Sequence, residues 1–247
     1  MGEILAGKRA VVTGARANIG RATALRFAEE GARLVLVDRD PGVEETAAEA
    51  GAHAVVADVA SESGVAALFA VVAERLGGLD VLVNNAAIQR VGAITDFSVA
   101  DWDETLGVNV RSCFLTSRAA VPLLRSAGGG AIVNTSSQTG LHGAPGATAY
   151  SASKGAIIAF TKALALELAS DGIRVNAIAP GWVDTEFNRP AITMLGGDAA
   201  HGDLVRATIP LGRQARPAEI AAGTLFLASD ASAYMTGQVL AVDGGIT

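Results

Sequence analysis

The sequence predicts a doubly wound α/β domain: a seven-stranded parallel sheet with helices on both faces. Three observations carry this. Short apolar runs alternate with longer amphipathic stretches along the whole chain, most runs are apolar without interruption, and glycines stand at the joins. A run such as Leu34-Val35-Leu36-Val37 suits a strand covered on both faces, as in parallel sheets. Half of the 247 residues are hydrophobic and only 4% are aromatic, so the core must be built from Ala, Val, Leu and Ile. Such a core suits closely packed helix-on-sheet layers.

The predicted strands are Arg9–Thr13, Arg33–Val37, Ala54–Ala57, Val81–Asn84, Ala131–Thr135, Arg174–Ile178 and Val239–Val242. The helix Ile19–Glu30 starts at a glycine turn and ends at Gly31, a residue suited to the left-handed cap. Ser61–Leu76 opens on a Ser cap and stops at Gly77-Gly78. Ala100–Ser126 contains Pro122, where a kink or break is expected. Tyr150–Ser170 is long and Ala-rich, and Pro217–Ala228 places Pro in its first turn, where the missing N–H is harmless. Strand–helix alternation implies right-handed crossovers in one sheet. Repeats and linker-like tracts are absent, so residues 1–247 read as one dinucleotide-binding and catalytic domain. Glu186–Pro210 lacks clear periodicity and reads as a mobile lid or a helical excursion over the site.

Composition narrows the function. The net charge is −6 and the basic residues are scattered, which opposes nucleic-acid binding. Uncharged apolar runs stay below 18 residues, so a membrane span is not expected. Met1–Arg9 carries Glu3 and does not read as a signal peptide. Cys113 is the only cysteine, which excludes an internal disulfide and makes the cytoplasm the expected location. No His/Cys/carboxylate grouping has zinc spacing, so metal-free chemistry is expected.

The first strand leads into Thr13-Gly14-Ala15-Arg16-Ala17-Asn18-Ile19-Gly20 and then a helix. Glycines at such a turn let backbone approach a pyrophosphate, and the helix N-terminus offers free N–H groups. Gly14, Arg16, Asn18, Ile19 and Gly20 are therefore candidate cofactor contacts of a Rossmann-type fold. Asn18 stands where a middle glycine is usual, and Asn tolerates left-handed backbone. Asp38 ends the second strand; it either accepts the adenosine ribose hydroxyls, favouring NAD over NADP, or caps the turn before Pro41. Arg16 and Arg39 nearby weaken that preference. Asp58 and Val59 end the third strand, placed either to meet the adenine edge or simply to close the strand.

Tyr150 and Lys154 are four apart, so both project from one helix face. An ammonium near a phenol lowers the phenol pKa from about 10 towards neutrality, which suits a general acid/base. Ser136 and Ser137 follow a buried strand at its carboxyl end, where a hydroxyl meets a developing oxyanion. Asn109, an amide in an apolar setting, either holds a water that links Lys154 to solvent or makes a structural bond to backbone.

Taken together, these residues resemble the short-chain dehydrogenase/reductase family in its single-domain form. The matching pieces are Thr13-Gly14…Ile19-Gly20, Asp58-Val59, Asn84-Asn85-Ala86-Ala87, Asn109, Ser137, Tyr150-x-x-x-Lys154, Pro180-Gly181-Trp182-Val183-Asp184-Thr185 and Gly237-Gln238…Val242-Asp243-Gly244-Gly245. They run in the family's order over nearly the whole chain. The resemblance selects Ser137 over Ser136, because the family's serine precedes its tyrosine by 13 residues. It also implies that Lys154 binds the nicotinamide ribose and Asn109 supports a proton relay. Pro180, Gly181, Val183 and Thr185 would hold the nicotinamide, with Asn85 behind the cofactor. Ala87 replaces the usual final glycine of the Asn-Asn-Ala-Gly run, and Ala17 replaces the basic residue common in NADP users.

The implied reaction is hydride transfer between NAD and a secondary alcohol or ketone, with Ser137 and Tyr150 touching the substrate oxygen. Gln138, His142, Gln89 and residues of Glu186–Pro210 are expected to line the pocket and to favour a polar, hydroxylated small molecule. The rival within the family is an NADPH-dependent 3-oxoacyl reductase. A sugar-nucleotide epimerase needs a larger C-terminal region than the residues after Thr185 supply, and a non-catalytic dinucleotide sensor would be expected to lose the serine, tyrosine or lysine. His53 and His201 read as solvated or structural, and Cys113 as a small apolar helix residue. Ala156, Ala159 and Ala163 suit close helix packing, and the resemblance implies a homotetramer through Ala100–Ser126 and Tyr150–Ser170.

Overall fold

The computed structural model describes residues 3–247; Met1 and Gly2 of the N-terminal stretch lie outside the described residues. Seven strands form one parallel sheet in the order β3-β2-β1-β4-β5-β6-β7. They are β1 (Arg9–Thr13), β2 (Arg33–Asp38), β3 (His53–Val56), β4 (Val81–Asn84), β5 (Gly130–Thr135), β6 (Ile173–Pro180) and β7 (Val239–Val242). The order reverses between β1 and β4, and a doubly wound sheet opens its crevice at such a reversal.

The alternation of strand side chains builds two cores. Ala10, Val12, Leu34 and Leu36 face one layer with Phe27 and Ile220, while Val11, Val35 and Val37 face the other with Leu68, Leu115 and Leu168. The first layer is covered by α1 (Asn18–Glu29), α2 (Val43–Ala50) and α10 (Pro217–Ala228). The second is covered by α3 (Glu62–Arg75), α5 (Ser112–Ser126) and α7 (Thr148–Leu168).

Local chemistry explains the element ends. Ser61 Oγ accepts from Gly64 N at 3.0 Å and starts α3. Past α1, Gly31 takes φ +83°, with Gly31 N donating to Ala28 O and Ala32 N to Phe27 O. Pro217 opens α10 at its first turn, as expected. The helix α2 was not foreseen, although Val43 and Ala47 share a face and Gly51 (φ +62°) closes it.

The stretch Ala100–Ser126 is not one helix broken at Pro122. It divides into α4 (Val99–Leu106), a wide turn Gly107–Arg111, and α5, which runs straight through Pro122. The wide turn has a cause: Asn109 is pulled inward, where its Oδ1 accepts from Ile88 N at 2.8 Å. The long helix α7 begins at Thr148, so Tyr150 lies inside its first turn. Glu186–Pro210 is a helical excursion, with α8 (Arg189–Met194) and α9 (Asp198–Thr208); the small α6 (Thr139–His142) precedes α7. No helix among the described residues is long and apolar enough to cross a membrane.

Candidate active site

A cavity of about 920 Å³ opens at the carboxyl ends of β1, β4, β5 and β6. Its base is the turn between β1 and α1. Gly14 takes φ +65°, and a Cβ there would lie 2.8 Å from Ala86 Cα. A Cβ on Gly20 would lie 2.0 Å from Gly14 O, so Gly20 packs the turn and does not line the cavity. Asn18 is the only non-glycine residue at positive φ among the described residues, at +54°, so it does adopt the left-handed conformation. Across the crevice, Thr13 Oγ1 accepts from Asn85 N and Ala86 N, both at 3.0 Å. Asn85 Nδ2 donates to Thr13 O and Gly14 O.

These residues fit a dinucleotide. No side chain caps the first turn of α1, which leaves its N–H groups facing the cavity beside Gly14. Gly14, Arg16, Asn18, Ile19, Asp38, Asn85, Pro180, Gly181, Val183 and Thr185 all line that cavity. Asp38 does two jobs: it borders the cavity, and its carboxylate accepts from Arg16 N at 3.2 Å and Asp40 N at 3.1 Å. Arg16 Nε pairs with Asp40 at 3.2 Å. Asp58 and Val59 do not line the cavity; Asp58 accepts from Ala60 N and Val59 is buried in the core. The turn before α3 needs that carboxylate, which accounts for its place there. Gly181 allows close approach of the C-terminal segment, since a Cβ there would lie 2.8 Å from Asp243 Cα.

Ser137, Tyr150 and Lys154 meet in the same cavity, all three buried. Ser137 leaves the end of β5, and its Oγ accepts from Thr139 N at 3.2 Å. Ser136 instead donates to Lys154 O at 2.8 Å, which ties α7 to the sheet. Lys154 Nζ donates to Thr135 O at 2.8 Å and lies 5.5 Å from the centroid of the Tyr150 ring.

The electrostatics correct one expectation. Lys154 does not draw the phenol down here. Burial pushes the Tyr150 phenol above its ordinary value, and the Ser137 hydroxyl opposes this without overcoming it. Burial also pushes the Lys154 ammonium down to about 8, with Cys113 acting the other way. Enclosure of both groups therefore sets the direction of both shifts.

Asn109 does not touch the cavity. Its Nδ2 donates to Ile88 O and to Ser153 Oγ, both at 3.0 Å, and Ser153 Oγ donates to Tyr150 O at 2.7 Å. It therefore clamps the β4 loop to the helix that carries Tyr150. The sequence reading missed Ser153, and it missed a buried network behind Lys154. There Asn84 Nδ2 donates to Asn134 Oδ1 and to Ser117 Oγ, and Asn134 Nδ2 donates to Thr161 Oγ1. Buried amides on two adjacent strands were the available signal. Cys113 is buried, donates to Asn134 Oδ1, and has its thiol pushed up to about 12 by burial.

Gln89 and Gln138 line the cavity, while His142 is exposed and does not. His201 is buried against Trp182, ring centroids 4.5 Å apart, and is structural; His53 is exposed.

A family described as enoyl-(acyl carrier protein) reductase matches residues 14–247. D-threitol dehydrogenase of Mycolicibacterium smegmatis is 42% identical, covering 98% of this chain and 94% of its own. A 3-oxoacyl-(acyl-carrier-protein) reductase of Thermotoga maritima is 41% identical, covering 98% of both chains. A short-chain type dehydrogenase/reductase from Mycobacterium marinum superposes with a TM-score of 0.91 at 36% identity, covering 98% of this chain and 96% of that one. The chain belongs to the short-chain dehydrogenase/reductase family. As a member of that family it is an oxidoreductase.

The burial of Lys154 makes a prediction. Below pH 8 the folded protein carries a charged, desolvated ammonium. Lowering it from 10.5 to about 8 corresponds to a penalty of at most about 3 kcal/mol. The unfolded chain holds its proton up to about 10.5, so wild-type stability rises with pH across this window. Lys154→Met is expected to melt no lower than wild type at pH 7, with its relative advantage shrinking towards pH 10.5. Thermal unfolding across pH checks this; a clear deficit of the variant at pH 7, or a difference from wild type that does not fall between pH 8 and 10.5, contradicts it.

Proposed function

We propose that the protein is an NAD(H)-dependent oxidoreductase that interconverts a secondary alcohol and a ketone, with Tyr150 as general acid/base. The observation that carries this reading is the meeting of Ser137, Tyr150 and Lys154 in one cavity continuous with the uncapped first turn of α1. Gly14, Arg16, Asn18 and Ile19 would form the pyrophosphate cradle, with Gly20 packing the turn behind them, and Asp38 would accept from the adenosine ribose. Pro180, Gly181, Val183 and Thr185 would hold the nicotinamide end. When bound, the nicotinamide supplies the hydride acceptor or donor.

The chain's own residues supply the rest. Ser137 holds the substrate oxygen. Tyr150, held as the neutral phenol by burial, gives its proton to a ketone oxygen in reduction; in oxidation it first loses that proton, and as phenolate it takes one from the alcohol. Lys154 would hold the ribose of a bound dinucleotide and, held by Thr135 O, places an ammonium beside Tyr150. Asn109 acts on position: its clamp through Ser153 fixes the backbone of Tyr150, and the proton relay implied by the resemblance would leave from Lys154 beside it. Tyr150→Phe is expected to lower kcat by roughly 10²–10⁴-fold and to leave dinucleotide binding intact. Turnover kinetics beside dinucleotide titration test this; a near-normal rate removes the mechanism.

A second reading is an NADPH-dependent 3-oxoacyl reductase. The Thermotoga relative favours it, as do Arg16 and Arg39 on the cavity rim. Asp38 opposes it, because a carboxylate there repels a 2′-phosphate. Initial rates with NADH and NADPH separate the two, and an NADH preference of at least about tenfold is expected from one misplaced charge. A preference for NADPH installs the second reading.

The proposed assembly is a homotetramer through α5 and α7. Phe114 on α5 and Leu166 on α7 are exposed, and Ala159 and Ala163 leave room for close packing on that same α7 surface. Light scattering at micromolar concentration is expected to give four times the 24.9 kDa chain mass, and a monomer contradicts the assignment.

A further inference from the structure

We infer that the substrate is an uncharged alcohol or ketone with a largely hydrocarbon body, and that Gln89 reads a single polar group on it. This rests on the reaction proposed above and adds the chemistry of its substrate. The charged residues that border the cavity are unevenly placed. Arg16, Asp38, Arg39 and Asp40 stand at the ends of β1 and β2, and Lys154 is buried at the reacting centre. The wall beyond Tyr150 has none. Phe187 lies 6.1 Å from the Tyr150 ring, and Ala191, Met194, Leu195 and Leu204 continue that wall along α8 and α9. Close contacts hold one edge of this wall. Gly92 N donates to Gly146 O at 2.8 Å, and a Cβ on Gly146 would lie 2.5 Å from Met194 Sδ.

The ionised groups of the same segment are turned away from the cavity and pair with one another. Arg189 pairs with Glu186 at 3.3 Å and with Asp198 at 2.7 Å, and Arg206 pairs with Asp203 at 2.6 Å. None of these five residues lines the cavity. An anionic substrate would therefore lose its hydration without a cation to meet it. A polyol would leave most of its hydroxyls facing hydrocarbon.

Two polar side chains on that wall are committed. Asn188 Nδ2 donates to Val183 O at 2.6 Å, and Thr208 Oγ1 donates to Leu204 O at 2.8 Å. Gln89 is different. It lines the cavity, and its Oε1 is shielded from solvent without any hydrogen-bond partner. Such an orphan amide is expensive to keep unless a ligand completes it. A small turn of the amide towards the cavity would let a hydroxyl or amide N–H on the substrate supply what is missing.

The test uses the purified full chain with NAD and four alcohols. Three are cyclohexanols carrying a methyl, a hydroxyl or a carboxylate at the same ring position, and the fourth is threitol. The methyl and hydroxyl rings are expected to exceed the carboxylate ring and threitol in kcat/KM by roughly tenfold or more, the discrimination open to an unpaired buried polar group. Gln89→Leu is expected to shift the ratio of diol to methyl substrate by about tenfold through KM, with kcat little affected. Preference for the carboxylate or for threitol, with turnover still dependent on Tyr150, overturns the substrate class alone. An unchanged diol-to-methyl ratio in Gln89→Leu overturns the role of Gln89. If no alcohol in the set reduces NAD, the substrate class falls together with the reaction on which it rests.

Discussion

The site depends on how closely the end of β1 is bound to the end of β4. One hydroxyl, Thr13 Oγ1, accepts from two successive backbone N–H groups, and Asn85 returns two bonds to the β1 turn. Neither contact is possible unless Gly14 lacks a side chain, because a Cβ would strike Ala86. The same turn needs Gly20 bare, because its Cα faces the Gly14 carbonyl. Two strands adjacent in space, with crossovers running to opposite sides, thus leave one gap at their ends, and the first turn of α1 faces it. The expected NAD contacts inherit their positions from this one approach.

The reacting groups sit where burial and charge oppose each other. Tyr150 and Lys154 share a helix face, as their spacing requires, but enclosure raises the phenol and lowers the ammonium. Charge at this point is tolerated because its surroundings are polar and saturated. Thr135 O takes the ammonium, and Asn84, Asn134, Ser117 and Thr161 bond one another behind it. Fully paired buried networks are rigid, whereas half-paired ones are costly. A chemically useful lysine in a hydrocarbon core is possible only beside such a network. The Asn109–Ser153 clamp extends the same logic to the backbone under Tyr150.

The helical excursion over the site separates charge from the cavity. Its acids and arginines pair on the outer side, while its apolar residues turn inward over Tyr150. Exposed pairs of this kind contribute little stability. Their effect here is on polarity: they leave the inner wall without a free ion. A wall of that kind offers little to the polar, hydroxylated substrate that Gln138 and His142 implied, and His142 proves to be outside the cavity altogether.

The sequence by itself determined the layering, the strand order's repeating unit, the turn at Gly14 and Gly20, and the Tyr150/Lys154 pair. These rest on local properties: strand residues alternate faces at period two, residues four apart on a helix share a face, and only certain residues enter left-handed backbone. Asn18 does so at φ +54°, as its residue type allows. What the tertiary structure alone decided depends on residues distant in the chain. Whether Ala100–Ser126 breaks at Pro122 or at Asn109 turns on Ile88 and Ser153, which together bond the Asn109 amide. Whether a lysine lowers a neighbouring phenol's pKa turns on desolvation, set by every layer packed around both. Whether Asp58 faces the cavity turns on the backbone N–H at Ala60 that it must satisfy. Spacing along a chain carries periodicity and conformational permission, but not the competition between partners that meet only when the chain has folded.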